Sequence, residues 1–180
     1  MSPRSLLLAG LCLVSLHAAR ASADLVRYRC TGPTTGSVRV VVEDGTCRGF
    51  TVSGKQQLFA RMVSGTLLAS QDGKTVVLIE DYLSATVDGT SIVTDIDRER
   101  IVNPVVVQIW RNGTRVGAHD IARLVRDVTK VEQSISHVRW VASLPANVDG
   151  AQFTLVTTSG RRITFDSKTG AIIEERAVKR

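Results

Sequence analysis

The stretch TVVLIEDY, residues 75–82, has the strongest strand character in the sequence. Four apolar residues, Val76 to Ile79, follow one another without polar alternation, which is typical of a strand that is buried on both faces. The turn residues Gln71-Asp72-Gly73 stand just before it and indicate a hairpin with the run at 67–70. We therefore predict a central, buried strand at residues 75–82.

Similar short runs, rich in Val, Ile and Thr, recur on both sides of this strand and end at turn pairs. Upstream, an alternating run at 38–43 meets Asp44-Gly45 and continues into 46–52. Downstream, the pairs Asn112-Gly113 and Ser159-Gly160 each join two further runs. The pattern predicts a mostly β protein of antiparallel hairpins that form a sandwich, an open sheet stack or a partial propeller.

One segment has helical rather than strand spacing. Ile121, Leu124 and Val125 recur on one helical face, and Asp120 stands where an N-cap would accept a hydrogen bond. We predict a single short helix from Asp120 to about Val128. The charged stretch at 95–103 is expected to be a mobile loop.

The first 23 residues have the organisation of a cleavable secretory signal peptide. Arg4 precedes an apolar stretch at 6–16, and Ala21-Ser22-Ala23 forms a small-residue cleavage site. The apolar stretch is too short for a transmembrane anchor, which needs about 20 residues. Lipid attachment at Cys12 and a buried N-terminal helix are the alternatives. We expect residues 24–180 to form a single β-rich domain that is periplasmic or extracellular.

The charge of the chain bears on its class of partner, and its cysteine content bears on whether it has a disulfide. The chain has a net charge of +6, and removal of Arg4 and Arg20 leaves 21 basic against 17 acidic residues, a net charge of +4. The basic residues are scattered along the sequence without interleaved aromatic residues, which favours a solvated surface and argues against a nucleic-acid partner. An oxidising compartment favours a structural disulfide between Cys30 and Cys47.

Two motifs resemble β-propeller repeats. Residues 70–77, SQDGKTVV, resemble the turn and strand of TolB-type repeats, with Gln71 where that motif has proline. Residues 163–173, ITFDSKTGAII, are similar to the strand and turn that close a quinoprotein-type blade, without its final tryptophan. Blades of ~40 to 50 residues imply a partial rather than a closed propeller here. Residues 134–140 are similar to a segment of secreted bacterial β-rich proteins, a likeness that implies no function.

The residues with the clearest catalytic potential are His119, Asp120 and His137. They could serve a small extracytoplasmic hydrolase or a metal-dependent enzyme, since imidazole and carboxylate groups suit both uses. Their spacing matches no common signature, however, and a helix cap for Asp120 with hydrogen-bonded imidazoles is the favoured interpretation. We therefore predict no catalytic residue, no metal and no cofactor.

Trp110 and Trp140 are two of only eight aromatic residues. They could stack on sugar rings in a carbohydrate-binding module, but their apolar surroundings in the sequence favour packing in the core. A core, turns and a disulfide without reactive groups indicate a noncatalytic exported module that binds a protein or another envelope component. Its ligand and its oligomeric state remain open.

Overall fold

The computed structural model describes residues 30–31, 38–43, 46–52, 55–62, 65–96, 99–134 and 137–178. Before residue 65 it describes the side chain of Phe50 alone, and it leaves out that of Ile96. The predicted signal peptide therefore lies outside the described residues. So do the side chains of Cys30 and Cys47, and their disulfide stays a prediction.

The described chain is mostly β, with open sheets and one short helix, which confirms the predicted fold class. The strands are β1 (Cys30–Thr31), β2 (Val38–Glu43), β3 (Thr46–Val52), β4 (Lys55–Met62), β5 (Gly65–Ala69), β6 (Thr75–Ile79), β7 (Tyr82–Ser84), β8 (Thr86–Asp88), β9 (Ser91–Ile96), β10 (Glu99–Val102), β11 (Val105–Arg111), β12 (Thr114–Asp120), β13 (Glu132–Gln133), β14 (His137–Arg139), β15 (Val141–Ser143), β16 (Gln152–Thr157), β17 (Arg161–Asp166) and β18 (Ile172–Ala177). The helix α1 (Ile121–Val125) and a 3₁₀ turn (Val128–Lys130) lie between β12 and β13.

Five sheets are formed by these strands. Their orders are β2-β3-β4, β1-β5-β6-β11-β12, β10-β9-β8, β13-β14-β7 and β15-β16-β17-β18. Neighbouring strands are antiparallel except for β1 and β5, which pair in parallel. Among the described residues no propeller repeat is identified. The propeller resemblance therefore stays a prediction.

Strand β6 is the buried central strand that the sequence predicts. All five of its residues are buried, and it lies between β5 and β11 in its sheet. It ends at Ile79, however, and Tyr82 begins the separate strand β7. At Glu80 the amide still donates to the Val106 carbonyl of β11 at 2.8 Å, but the carbonyl accepts from the Trp140 indole at 2.5 Å.

The main hydrophobic cluster joins residues of four sheets and the helix. Phe153 and Phe165 stack with ring centroids 4.9 Å apart, and their sheet shares this cluster with Trp140 and with Ile79 of β6. Helix α1 contributes Ile121, Leu124 and Val125, all fully buried. Burial of each such side chain stabilises the fold by about 1.5–3 kcal/mol. The outer face of the last sheet is thereby left to polar residues.

Helix α1 is shorter than predicted. Asp120 caps it as expected, because its carboxylate accepts a hydrogen bond from the Arg123 amide at 2.8 Å. The helix ends at Val125 because Arg126 has a left-handed backbone, with φ of 60°. The chain then resumes as the 3₁₀ turn, so the predicted continuation to Val128 is wrong.

The charged stretch at 95–103 is mostly strand rather than loop. Strands β9 and β10 pair in antiparallel register, with Val93 opposite Val102. Asn103 closes the hairpin, since its amide donates to the Ile92 carbonyl at 2.7 Å and its side chain accepts from the Ile92 amide at 3.0 Å. The sequence did not indicate this strand, because an exposed edge strand such as β10 can carry charged side chains and needs few apolar residues.

Candidate functional site

Of the three residues considered for catalysis, His119 and Asp120 end strand β12, whereas His137 begins strand β14. The ring nitrogen Nε2 of His119 is 2.7 Å from the Gly170 carbonyl, and Asp120 caps α1. His137 stacks on Tyr82 in another sheet, with ring centroids 5.1 Å apart. Within the described ranges, no three His, Cys, Asp or Glu residues form a group that could hold a metal ion. These three side chains therefore assemble neither a triad nor a metal centre.

The two tryptophans have different surroundings, and neither forms an open sugar-stacking surface. Trp140 is fully buried, as the favoured interpretation predicts, and its indole donates to the Glu80 carbonyl. Trp110 is half-buried and meets Phe50 edge to face at a centroid distance of 5.4 Å. The Trp110 indole nitrogen has no hydrogen-bond partner in the described part of the chain. Both rings are thus used mainly in packing.

Tertiary structure gathers arginines that are far apart in the sequence. Helix α1 and the residue after it supply Arg123 and Arg126, β17 supplies Arg161 and Arg162, and β18 supplies Arg176. Three of these arginines contact Glu175 on the last strand, and Arg176 contacts Glu174. Arg162 lies in the same cavity lining as Glu174. Basic residues that are scattered along the sequence are thus partly gathered in the folded chain. Folding places residues some 50 positions apart side by side, which no local pattern could reveal.

Three of these arginines surround Glu175 on the face of β18 that carries α1, and we call this group the inner cluster. The carboxylate of Glu175 lies 2.6 Å from Arg123 Nη2 and 2.8 Å from Arg126 Nη2, and Arg161 also donates to it. Arg161 and Glu175 are only 14% and 18% exposed. Breaking such a mostly buried pair is costly.

The inner cluster also attaches helix α1 to strand β17 through hydrogen bonds. Arg161 donates to the Leu124 carbonyl at 2.5 Å and to the Arg123 carbonyl at 3.2 Å, two acceptors at the end of α1. Burial lowers the pKa of Arg161, Glu175 raises it, and the neighbouring Arg126 lowers it again. The inner cluster is therefore a structural connection between α1 and the last sheet, with all three guanidinium groups engaged on Glu175.

The outer groove lies on the opposite face of the same sheet. It is a cavity of about 440 Å³ with a polar lining: Gln152, Thr154, Arg162, Thr164, Glu174, Arg176, Ala177 and Val178. The hydroxyl groups of Thr154 and Thr164, which are opposite in register, lie 3.0 Å apart. Alternation along β16 and β17 places Phe153 and Phe165 on the core face and these polar residues outside.

Two like charges lie side by side in the lining of this groove. Arg162 and Arg176 are register partners on β17 and β18, and like charges directly opposite on one sheet face disfavour the pairing. Arg176 forms an ion pair with Glu174. Arg162 is exposed and has no hydrogen-bond or ion-pair partner among the described residues. Within the described structure its guanidinium is therefore available to a ligand.

A second cavity, of about 330 Å³, lies between the two motif turns. Asp72 accepts from Ser70 and from the Lys74 amide, and these hydrogen bonds lower its pKa to about 2. Asp149 accepts from the Gln71 amide at 2.5 Å. Both carboxylates of this cavity therefore accept hydrogen bonds from its own backbone.

No described helix is long and apolar enough to span a membrane. Neither the described residues nor the comparisons give a positive indication of catalysis. The sequence matches no protein-family model and no curated protein.

Proposed function

We propose that this protein is an exported, noncatalytic module that binds a partner protein or another envelope component through the outer groove. The signal-peptide pattern of residues 1–23 supports export. The observation that carries the proposed site is the guanidinium of Arg162, which has no partner among the described residues and lies beside Arg176 in the lining of a polar cavity. Arginine is enriched at protein interfaces because its planar group makes several directed hydrogen bonds.

A binding role accords with the chemistry of the groove. Its side chains are two guanidiniums, one carboxylate, one amide and two hydroxyls, and none of them is a histidine or cysteine that could serve as nucleophile or base near neutral pH. The groove is open and lies on a sheet whose other face is packed in the core. Such a rigid floor positions side chains for recognition without a change of fold.

A pulldown with a matched pair of variants tests this proposal. The purified protein, the double variant R162A/R176A and the control R100A are immobilised and exposed to an envelope extract. Arg100 is an exposed arginine paired with Asp88 on a different sheet, so the control removes surface charge away from the groove. We expect the same component to be retained by the wild type and by R100A and to be lost from the double variant.

Equal retention by all three proteins would assign binding to another surface. The absence of any specifically retained component would argue against a binding module. Unfolding curves of the three proteins provide the folding control, since Arg162 has no partner in the described structure and Arg176 makes only an exposed ion pair.

A further inference from the structure

Resting on the proposed function, we propose that the outer groove recognises carboxylate side chains of an acidic peptide segment, with Arg162 as the main anchor. The guanidinium of Arg162 has all its donors available within the described structure, and a carboxylate accepts two parallel hydrogen bonds from such a group. A bound carboxylate also offsets the repulsion between Arg162 and Arg176.

The other lining groups favour a peptide over a polyanion. Glu174 stands opposite Thr164 and keeps a negative charge inside the groove, which opposes a continuous row of phosphates. The hydroxyls of Thr154 and Thr164 and the amide of Gln152 can bond to peptide N–H and C=O groups. A segment with separated acidic side chains can pair with Arg162 while avoiding Glu174.

The absence of aromatic residues from this lining argues against a polysaccharide partner. Sugar rings are commonly held by stacking on aromatic faces, and the residues that line the groove contain none. The cavity of about 440 Å³ is larger than a single carboxylate requires. An extended acidic segment therefore fits its size and its chemistry.

Fluorescence anisotropy with defined probes tests the ligand class. The probe is a labelled peptide of alternating glutamate and serine with blocked ends, and the matched control peptide has glutamine in place of glutamate. We expect binding of the glutamate peptide alone, weakening as salt is raised. R162A should lower affinity about tenfold or more, since a hydrogen bond to a charged group is lost.

Two further variants distinguish a directed contact from simple charge. R162K keeps the charge but cannot form the two parallel bonds, so we expect it to bind more weakly than the wild type. R100A, which removes an equal charge elsewhere, should bind within about twofold of the wild type, as for an exposed and distant site. Equal affinities of R162A and R100A would overturn the assignment of Arg162.

Competition with polygalacturonate and with single-stranded DNA separates the partner classes. Binding of either polymer in an Arg162-dependent manner, with no binding of the peptide, would overturn the proposal of an acidic peptide. If the pulldown partner depends on the outer groove but the peptide does not bind, the proposed function stands and this inference fails. If neither the pulldown nor the peptide depends on the groove, both fail.

Discussion

Replacement of Glu175 by glutamine tests the structural role of the inner cluster. Glutamine preserves the size of the side chain and can still accept hydrogen bonds, but it removes the only negative charge that Arg123, Arg126 and Arg161 all contact in the described structure. Three guanidinium groups would then lie close together with no counter-charge between them. The substitution should therefore loosen α1 from the last sheet and lower the free energy of unfolding.

The size of this effect follows from the exposure of each pair. Arg123 and Arg126 are 46% and 63% exposed, so each of their ion pairs with Glu175 contributes at most about 1 kcal/mol. Arg161 and Glu175 are mostly buried, and removing one partner of a buried pair costs about 3–5 kcal/mol. Because glutamine retains part of the hydrogen bonding, we expect a total loss of about 2–4 kcal/mol.

Urea and thermal unfolding measure this loss. A change of about 2–4 kcal/mol lowers the midpoint of thermal unfolding by roughly 5–15 °C for a domain of this size. The matched control is E174Q, because Glu174 precedes Glu175 on β18 but contacts Arg176 on the open face and is 42% exposed. We expect E174Q to cost less than about 1 kcal/mol. If the two variants were equally stable, the reasoning from burial would be refuted.

Three further predictions concern packing and pH. Substitution of Gly117 by alanine should destabilise the fold by about 1–3 kcal/mol in urea unfolding, because the added Cβ would lie 2.8 Å from the Gly170 backbone. Unchanged stability would mean that the backbones at Gly117 and Gly170 move apart at little cost. Burial raises the pKa of Asp81 above its usual 3.8, so ionisation of this carboxyl group lowers the stability of the fold as pH rises through that range. We expect D81N to be more stable than the wild type at pH 7 and to lose this gain in acid. Unfolding measured at several pH values would contradict this if the difference did not change. Hydrogen bonds from Ser70 and Lys74 lower the pKa of Asp72 to about 2. The stabilisation by the ionised Asp72 carboxylate is therefore present above pH 3.8 and is lost as pH falls toward 2. An NMR titration that gave Asp72 an ordinary pKa would contradict these hydrogen bonds.

The local elements were largely predictable because their causes are local. The buried strand β6 follows from consecutive apolar residues, and the cap of α1 follows from an aspartate just before a helical pattern. Gly73 and Gly170 both have positive φ values, as the two turn motifs require. Where the prediction failed, a distant contact is found: the Trp140 indole donates to the carbonyl of Glu80, which lies inside the predicted strand but just after the end of β6.

The candidate site could not be predicted, because it depends on strand register and on contacts across the fold. Arg161 and Arg162 are adjacent in the sequence, yet strand alternation sends one to the inner cluster and the other to the outer groove. Only the pairing of β17 with β18 places Arg176 opposite Arg162.

By itself, the sequence determined the β-rich class, the short capped helix and the turn positions, since each depends on neighbouring residues. It also carries the expectations of export and of a disulfide between Cys30 and Cys47, whose side chains lie outside the described part of the structure. The tertiary structure alone decided that His119 and His137 lie in different sheets and that the arginines gather at the last strand. The physical reason is that charge neutralisation and side-chain proximity depend on distances in space, which sequence spacing does not specify beyond a single strand or helix.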